Sequence, residues 1–259
     1  MSLRSFIEDT GPPEATIVVV GDDQPGPLEA MLDETFETHP IDVETATIDA
    51  VEFAADLETT EGDVAVLLED GVPVATSPMA DLYESILAIN SDLFVTGARG
   101  LGEIEFPSVL ANLDETQLRL RGYPLAHNEK LLLILVSRRI EQLAWNDGRG
   151  TLRSAFQQLS RLTDEIGTHD VYTVLAASEL DVHVYGVDDA PIDLDVTVHS
   201  GTEPRYRNAW FVVYRPDDPA DGTASALVCL EDEPRVWDGF WTDDPDRVAA
   251  IDDTIAREY

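Results

Sequence analysis

Between residues 127 and 157 a long apolar stripe is stopped by two glycines, and this break constrains the fold more than any other feature of the chain. Leu132, Leu133, Val136, Ile140, Leu143 and Ala144 recur at helical spacing and predict a helix over residues 127 to 146. Gly148 and Gly150 end it. Residues 151 to 162 then fit two patterns. Leu152, Phe156, Leu159 and Leu162 keep helical spacing, whereas Leu152, Ser154 and Phe156 alternate as in a strand, a reading that Phe156 favours slightly.

Upstream, residues 16 to 21 read as a strand and residues 27 to 38 as a helix carrying Leu28, Met31, Leu32 and Phe36. A second strand over 41 to 48, a helical piece over 50 to 57 and a third strand over 63 to 68 follow. Asp70-Gly71 turns the chain into a hairpin arm at 72 to 75. Ser77 is a candidate cap for a helix with Pro78 at its first position, running to about Ile89 and burying Leu82, Ile86 and Ile89. From Asn90 to Tyr123 the pattern weakens, which places a lobe boundary there and divides the chain into 1–84 and 85–259. Residues 171 to 179 read as a helix. Runs near 181–186, 194–199, 209–215, 224–231 and 236–242 then predict an antiparallel sheet. Asp244 and Pro245 open a last helix that ends at Tyr259. The expected class is α+β: a small N-terminal α/β lobe plus a mainly antiparallel sheet flanked by helices.

Acidic residues number 52 against 16 basic ones, for a formal net charge of -36, and Lys130 is the sole lysine. The carboxylates are spread along the chain rather than gathered in a tail, which points to a protein adapted to molar salt. At ~1 M salt the Debye length is about 3 Å, so self-repulsion is screened. The fold is expected to loosen in millimolar salt, and an unchanged near-ultraviolet circular dichroism signal would contradict this. With no cluster of Lys and Arg among aromatics, nucleic acid is excluded as a partner. Cys229, the only cysteine, lies in an apolar run and reads as a buried strand residue. The longest apolar run, Leu131 to Val136, is far below the ~20 residues that span a bilayer, and no signal peptide is visible. A cytoplasmic protein is expected.

The segment Ser137 to Gln157, with Leu180-Asp-Val-His-Val-Tyr-Gly186, Asn208-Ala-Trp-Phe-Val-Val213, Ala226-Leu-Val-Cys-Leu-Glu231 and Gly239-Phe-Trp-Thr242, resembles the DICT sensory domain found beside diguanylate cyclases and two-component proteins. The resemblance covers about residues 85 to 245 and is of the stand-alone type found in salt-loving archaea. It implies a non-catalytic module that binds a small ligand or a signalling partner, a kinase or an output-domain protein, and a homodimer is compatible with it. It names no cofactor and no catalytic residue.

Arg138, Glu141 and Trp145 share one helix face, where they could present a cation, a carboxylate and an aromatic edge; alone, they would read as an exposed ion pair beside a packed ring. The resemblance raises the functional reading, since it places an acidic residue on this helix ahead of the Phe156-Gln157 pair. Phe156 and Gln157 supply a ring and an amide suited to a flat heterocycle or an exposed backbone. Trp210 and Trp241 complete the candidate ligand site, although with Phe211, Trp237 and Phe240 they equally fit a core or a dimer surface. Asp181, His183 and Tyr185 alternate onto one strand face and His199 follows, a weak metal arrangement with generic spacing. An unrecognised enzyme would draw on Glu141, His183 or His199, and a scaffold on the aromatic surface. Gly97 to Gly102 loosely resembles a phosphate loop without its lysine. Ile17 to Asp23 with Glu69-Asp70 is similar to a receiver, but the hairpin after Asp70 and the position of Lys130 make this common α/β grammar.

Overall fold

The computed structural model describes residues 2–10, 15–21, 32, 41–47, 62–90, 101–103, 106–121, 127–218, 220, 222–234 and 236–259. Helix α1 (Leu3–Asp9) starts in a capping box, with Ser5 N donating to Ser2 Oγ and Ser2 N to Ser5 Oγ. Four strands follow, β1 (Ala15–Gly21), β2 (Ile41–Thr47), β3 (Val64–Glu69) and β4 (Val72–Pro78), in the order β2-β1-β3-β4. β1 is parallel to β2 and antiparallel to β3, and Asp70 and Gly71, both at positive φ, make the tight turn into β4. That turn appears where Asp-Gly predicts it.

The start of the next helix differs from expectation. Ser77 and Pro78 stay in β4, opposite Ala65 and Val64, and Ser77 Oγ accepts from Val109 N at 3.0 Å instead of capping. Sheet register therefore outweighs the local capping signal, and α2 (Met79–Asn90) begins one residue later. The helices expected over 27 to 38 and 50 to 57, and the Gly97 loop, lie outside the described residues apart from Leu32, Leu101 and Gly102.

A 3-10 turn (Leu101–Glu103), α3 (Ser108–Ala111) and β5 (Leu118–Arg121) lead to the long α4 (His127–Asp147), which matches its expected span. Gly148, at φ 71, ends α4, and its N–H donates to Ala144 O at 2.9 Å. Gly150 is required for another reason: at φ 108, a Cβ there would lie 2.5 Å from Arg215 O. The ambiguous segment is a strand, β6 (Arg149–Gln158). Then come α5 (Ser160–Asp164), α6 (Ile166–Ala176), β7 (Glu179–Val187), β8 (Thr197–Ser200), α7 (Pro204–Arg207), β9 (Ala209–Arg215), β10 (Ser225–Glu233), β11 (Val236–Thr242) and α8 (Pro245–Glu258). Asp244 caps α8 and accepts from Arg247 N at 2.7 Å, with Pro245 at the first turn as the sequence indicates.

These strands form a seven-stranded sheet ordered β5-β11-β10-β9-β6-β7-β8. Its β6-β7-β8 portion is parallel and the remaining pairings are antiparallel, so the sheet is mixed within an α+β fold. The parallel pairing of β6 with β7 follows from the α5–α6 crossover, because parallel neighbours need a long return. Helices α4 and α6 cover one face, where Ile140 and Ala144 of α4 and Tyr172 and Leu175 of α6 pack on Leu152, Val184, Val212 and Trp241. The same cluster continues into Ile17 and Leu67 of the small sheet. The opposite face packs Tyr185, Phe211, Val228 and Phe240 under Val248, Ile251 and Ile255 of α8 and Leu3, Phe6 and Ile7 of α1. No helix among the described residues is long and apolar enough to cross a membrane.

Candidate functional site

Helix α4 is buried on more than its apolar stripe, and this places charged side chains inside the protein. Arg138 is 7% exposed and Glu141 3%. One helical turn joins them, Arg138 Nη1 to Glu141 Oε2 at 2.5 Å. From α6, Tyr172 donates its hydroxyl to Glu141 Oε1 at 2.9 Å, and Thr168 Oγ1 accepts from Arg138 Nη2 at 2.8 Å. Both carboxylate oxygens of Glu141 are thus engaged. Burial opposes the charge on Arg138, but Glu141, by charge and hydrogen bond, more than offsets it and the net shift is upward. Burial, and then the charge of Glu141, push the Tyr172 hydroxyl well above its usual value. Arg138 Nε and Ser154 Oγ stay buried without a hydrogen-bond partner.

Phe156 packs edge-on against Tyr172, ring centroids 5.1 Å apart, and so touches this cluster. Trp210 lies close by, its Nε1 donating to Ser137 Oγ at 3.2 Å. The structure therefore brings Arg138, Glu141, Phe156 and Trp210 around the inner side of α4, as a sealed network rather than an open face. Trp241 is fully buried, with Nε1 unpartnered, and Trp145 stands apart at the far end of α4, 39% exposed and over Gly102.

Gln157 faces elsewhere. A bulge between Ala155 and Gln158 interrupts the β6–β7 pairing, and Gln157 itself takes φ 58, an uncommon conformation for a residue with a side chain. Two bonds hold its amide: Nε2 donates to Ala209 O at 2.9 Å, and Oε1 accepts from Arg161 Nη1. Beside it a cleft of about 410 Å³ opens at the end of the sheet, lined by Gln157, Gln158, Arg161, Val187, Arg207, Glu231 and Trp237. The position has a topological reason. From β6 the chain crosses to β7 on one side, then returns through α7 to β9 on the other, so connections diverge at the carboxyl end of β6 and leave a crevice.

His183 and His199 meet on the opposite face, Nδ1 to Nε2 at 2.9 Å, and His199 stacks on Tyr185 at 4.4 Å between centroids. Asp181 Oδ2 lies 2.9 Å from His183 Nε2, outside hydrogen-bond geometry. Burial, with His183 and Arg153, lowers the pKa of His199. Among the described residues no group of three or more His, Cys, Asp or Glu is placed to hold a metal.

Tyr172 and Thr168 join the network, and Arg161 and Arg207 the cleft, without having been singled out from the sequence. Only Arg161 left a trace there: it stands four residues after Gln157 in a chain poor in basic residues.

The family model DICT, the sensory domain in diguanylate cyclases and two-component systems, matches residues 107–232, which hold the α4 network, β6 and most of the cleft. Residues 107–232 are a DICT domain. Its family places it in signal transduction as a sensory domain. Trp237, on β11, lies beyond the matched span although it lines the cleft. No curated protein and no solved structure shows significant similarity to the chain.

Proposed function

We propose that this DICT protein is a non-catalytic sensor that binds a small ligand in the cleft at the carboxyl end of β6 and passes the signal to another protein. The observation that carries this reading is the strained turn at Gln157: a residue at φ 58, held by two amide bonds, forms the cleft wall while its neighbour Phe156 contacts the buried network. Strain kept in place by surrounding bonds is characteristic of binding and switch positions, at a cost of order 1–3 kcal/mol. A ligand that competes for the Gln157 amide would shift the bulge, and Phe156 would carry the shift to Tyr172. Glu141, with both oxygens engaged inside the protein, is poorly suited to be a general base, which supports a non-catalytic reading. The protein purified in molar potassium chloride, denatured and examined by mass spectrometry, should release a small molecule in stoichiometric amount, and Gln157→Ala should abolish its retention. Retention unchanged by Gln157→Ala would refute the assignment to this cleft.

A second reading, a partner-binding scaffold, is favoured by α6, where Ile166 and Val174 are 61% and 47% exposed. An empty protein that elutes as a complex, lost in Val174→Asp, would establish it instead.

A further inference from the structure

Acidic residues outnumber basic ones 52 to 16, and arginines in this chain are for the most part neutralised locally. Nine of the arginines whose side chains are described stand within ion-pair distance of a carboxylate. Three do not among the described residues: Arg149, Arg161 and Arg207. Two of those three, Arg161 and Arg207, line the same cleft. Self-repulsion across the surface would be reduced by pairing any arginine with one of the abundant carboxylates, so two left without that pairing around one cavity mark a place where negative charge comes from outside.

The remaining lining adds a shape to that charge. Arg161 gives one N–H to Gln157 Oε1, which orients its guanidinium and leaves its other donors. Trp237 supplies an indole that is partly buried, packed against the core on one side and bordering the cleft. Glu231 contributes the single carboxylate of the lining, against two guanidinium groups, so the cleft carries one net positive charge within a chain of net charge -36. Guanidinium forks match oxyanions in two-point contact, and an indole face suits a flat ring.

We propose that the cleft selects an oxyanion, phosphate or carboxylate, carried on a flat aromatic ring, with Arg161 and Arg207 on the anionic group and Trp237 against the ring. This rests on the cleft being the ligand site. Glu231 then disfavours ligands of high negative charge.

Two matched pairs of probes test it by Trp fluorescence and calorimetry at fixed ionic strength: adenosine 5′-monophosphate against adenosine, and benzoate against benzamide. At least one anion is expected to bind tenfold or more tightly than its neutral counterpart. Arg161→Gln and Arg207→Gln should each erase that preference, bringing anion affinity down to that of the neutral probe, with the circular dichroism spectrum unchanged. The pair that shows the preference identifies phosphate or carboxylate. Equal binding of charged and neutral probes, lost in Trp237→Ala, would overturn the anion class while the ligand site stands. No binding of any probe would overturn both.

Discussion

Two arginine-containing regions lie on either side of the Phe156-Gln157 pair, and they use the same side chain for opposite ends. At α4 the guanidinium of Arg138 is sealed with Glu141, Tyr172 and Thr168, a buried network in which both its terminal nitrogens meet an acceptor of the protein and Nε alone has none. At the cleft, which Glu231 also lines, Arg161 and Arg207 stand beyond ion-pair distance of every carboxylate among the described residues. Burial decides the difference. A charge taken out of water must bring its partner with it, whereas one at a cleft mouth is solvated and can wait for a ligand. The comparison shows that an acidic residue on the long helix and the Phe-Gln pair after the glycine break are neighbours through Phe156 alone, with Gln157 belonging to the other region.

The largest break in this contrast should come from Glu141→Ala, which strands a buried guanidinium and is expected to destabilise the fold by about 3–5 kcal/mol in chemical denaturation. The paired replacement Arg138→Met with Glu141→Leu should cost far less than that single change. If the double variant is the less stable of the two, the ion pair is not the source of the penalty. Tyr172→Phe leaves Glu141 Oε1 short of a donor, for an expected loss of about 1–3 kcal/mol. It also supplies a test with pH. Since the Tyr172 hydroxyl has its pKa raised on folding, the folded state holds its proton more firmly than the unfolded one, so stability falls as the pH climbs above about 10. Other raised tyrosines contribute, and the slope above pH 10 should therefore be shallower, not absent, in Tyr172→Phe. The smallest effect belongs to the cleft, where Arg161→Gln should change stability by no more than about 0.5 kcal/mol. A loss comparable with that of Glu141→Ala would erase the distinction between the regions.

Elements governed by local rules were legible from the sequence. The α4 stripe, the Asp70-Gly71 turn, the Asp244-Pro245 cap and the strand character around Phe156 each express periodicity or backbone preference within a few residues. The parallel β6–β7 pairing was not, because strand direction is decided by where α5 and α6 carry the chain rather than by the strands themselves. Ser77-Pro78 misled for a related reason: pairing with β3 and an acceptor bond from Val109 compete with a helix cap, and both partners are remote in sequence. In the candidate site, the i, i+3 spacing of Arg138 and Glu141 put the two together but could not reveal their burial, which depends on α6 lying across them. The cleft combines Gln157, Arg207 and Trp237 from three separate stretches, so no short motif could have announced it. Only the scarcity of basic residues hinted that Arg161 was unusual.

The placement of α1 bears on how the chain is made. Arg247 Nη2 donates to Phe6 O at 2.8 Å, so α1, once synthesised, finds its seat only after some 240 further residues have been added. Until then Leu3, Phe6 and Ile7 have nothing of their own to cover them, and the α8 side of the large sheet is unfinished. Nascent chains stalled before residue 245 should consequently remain open to protease near residue 6, and early protection at that point would mean that α1 docks first somewhere else. Closure of so long a loop makes this surface a late step of assembly, well after the helix–strand unit around the glycine break could have formed from neighbours in sequence.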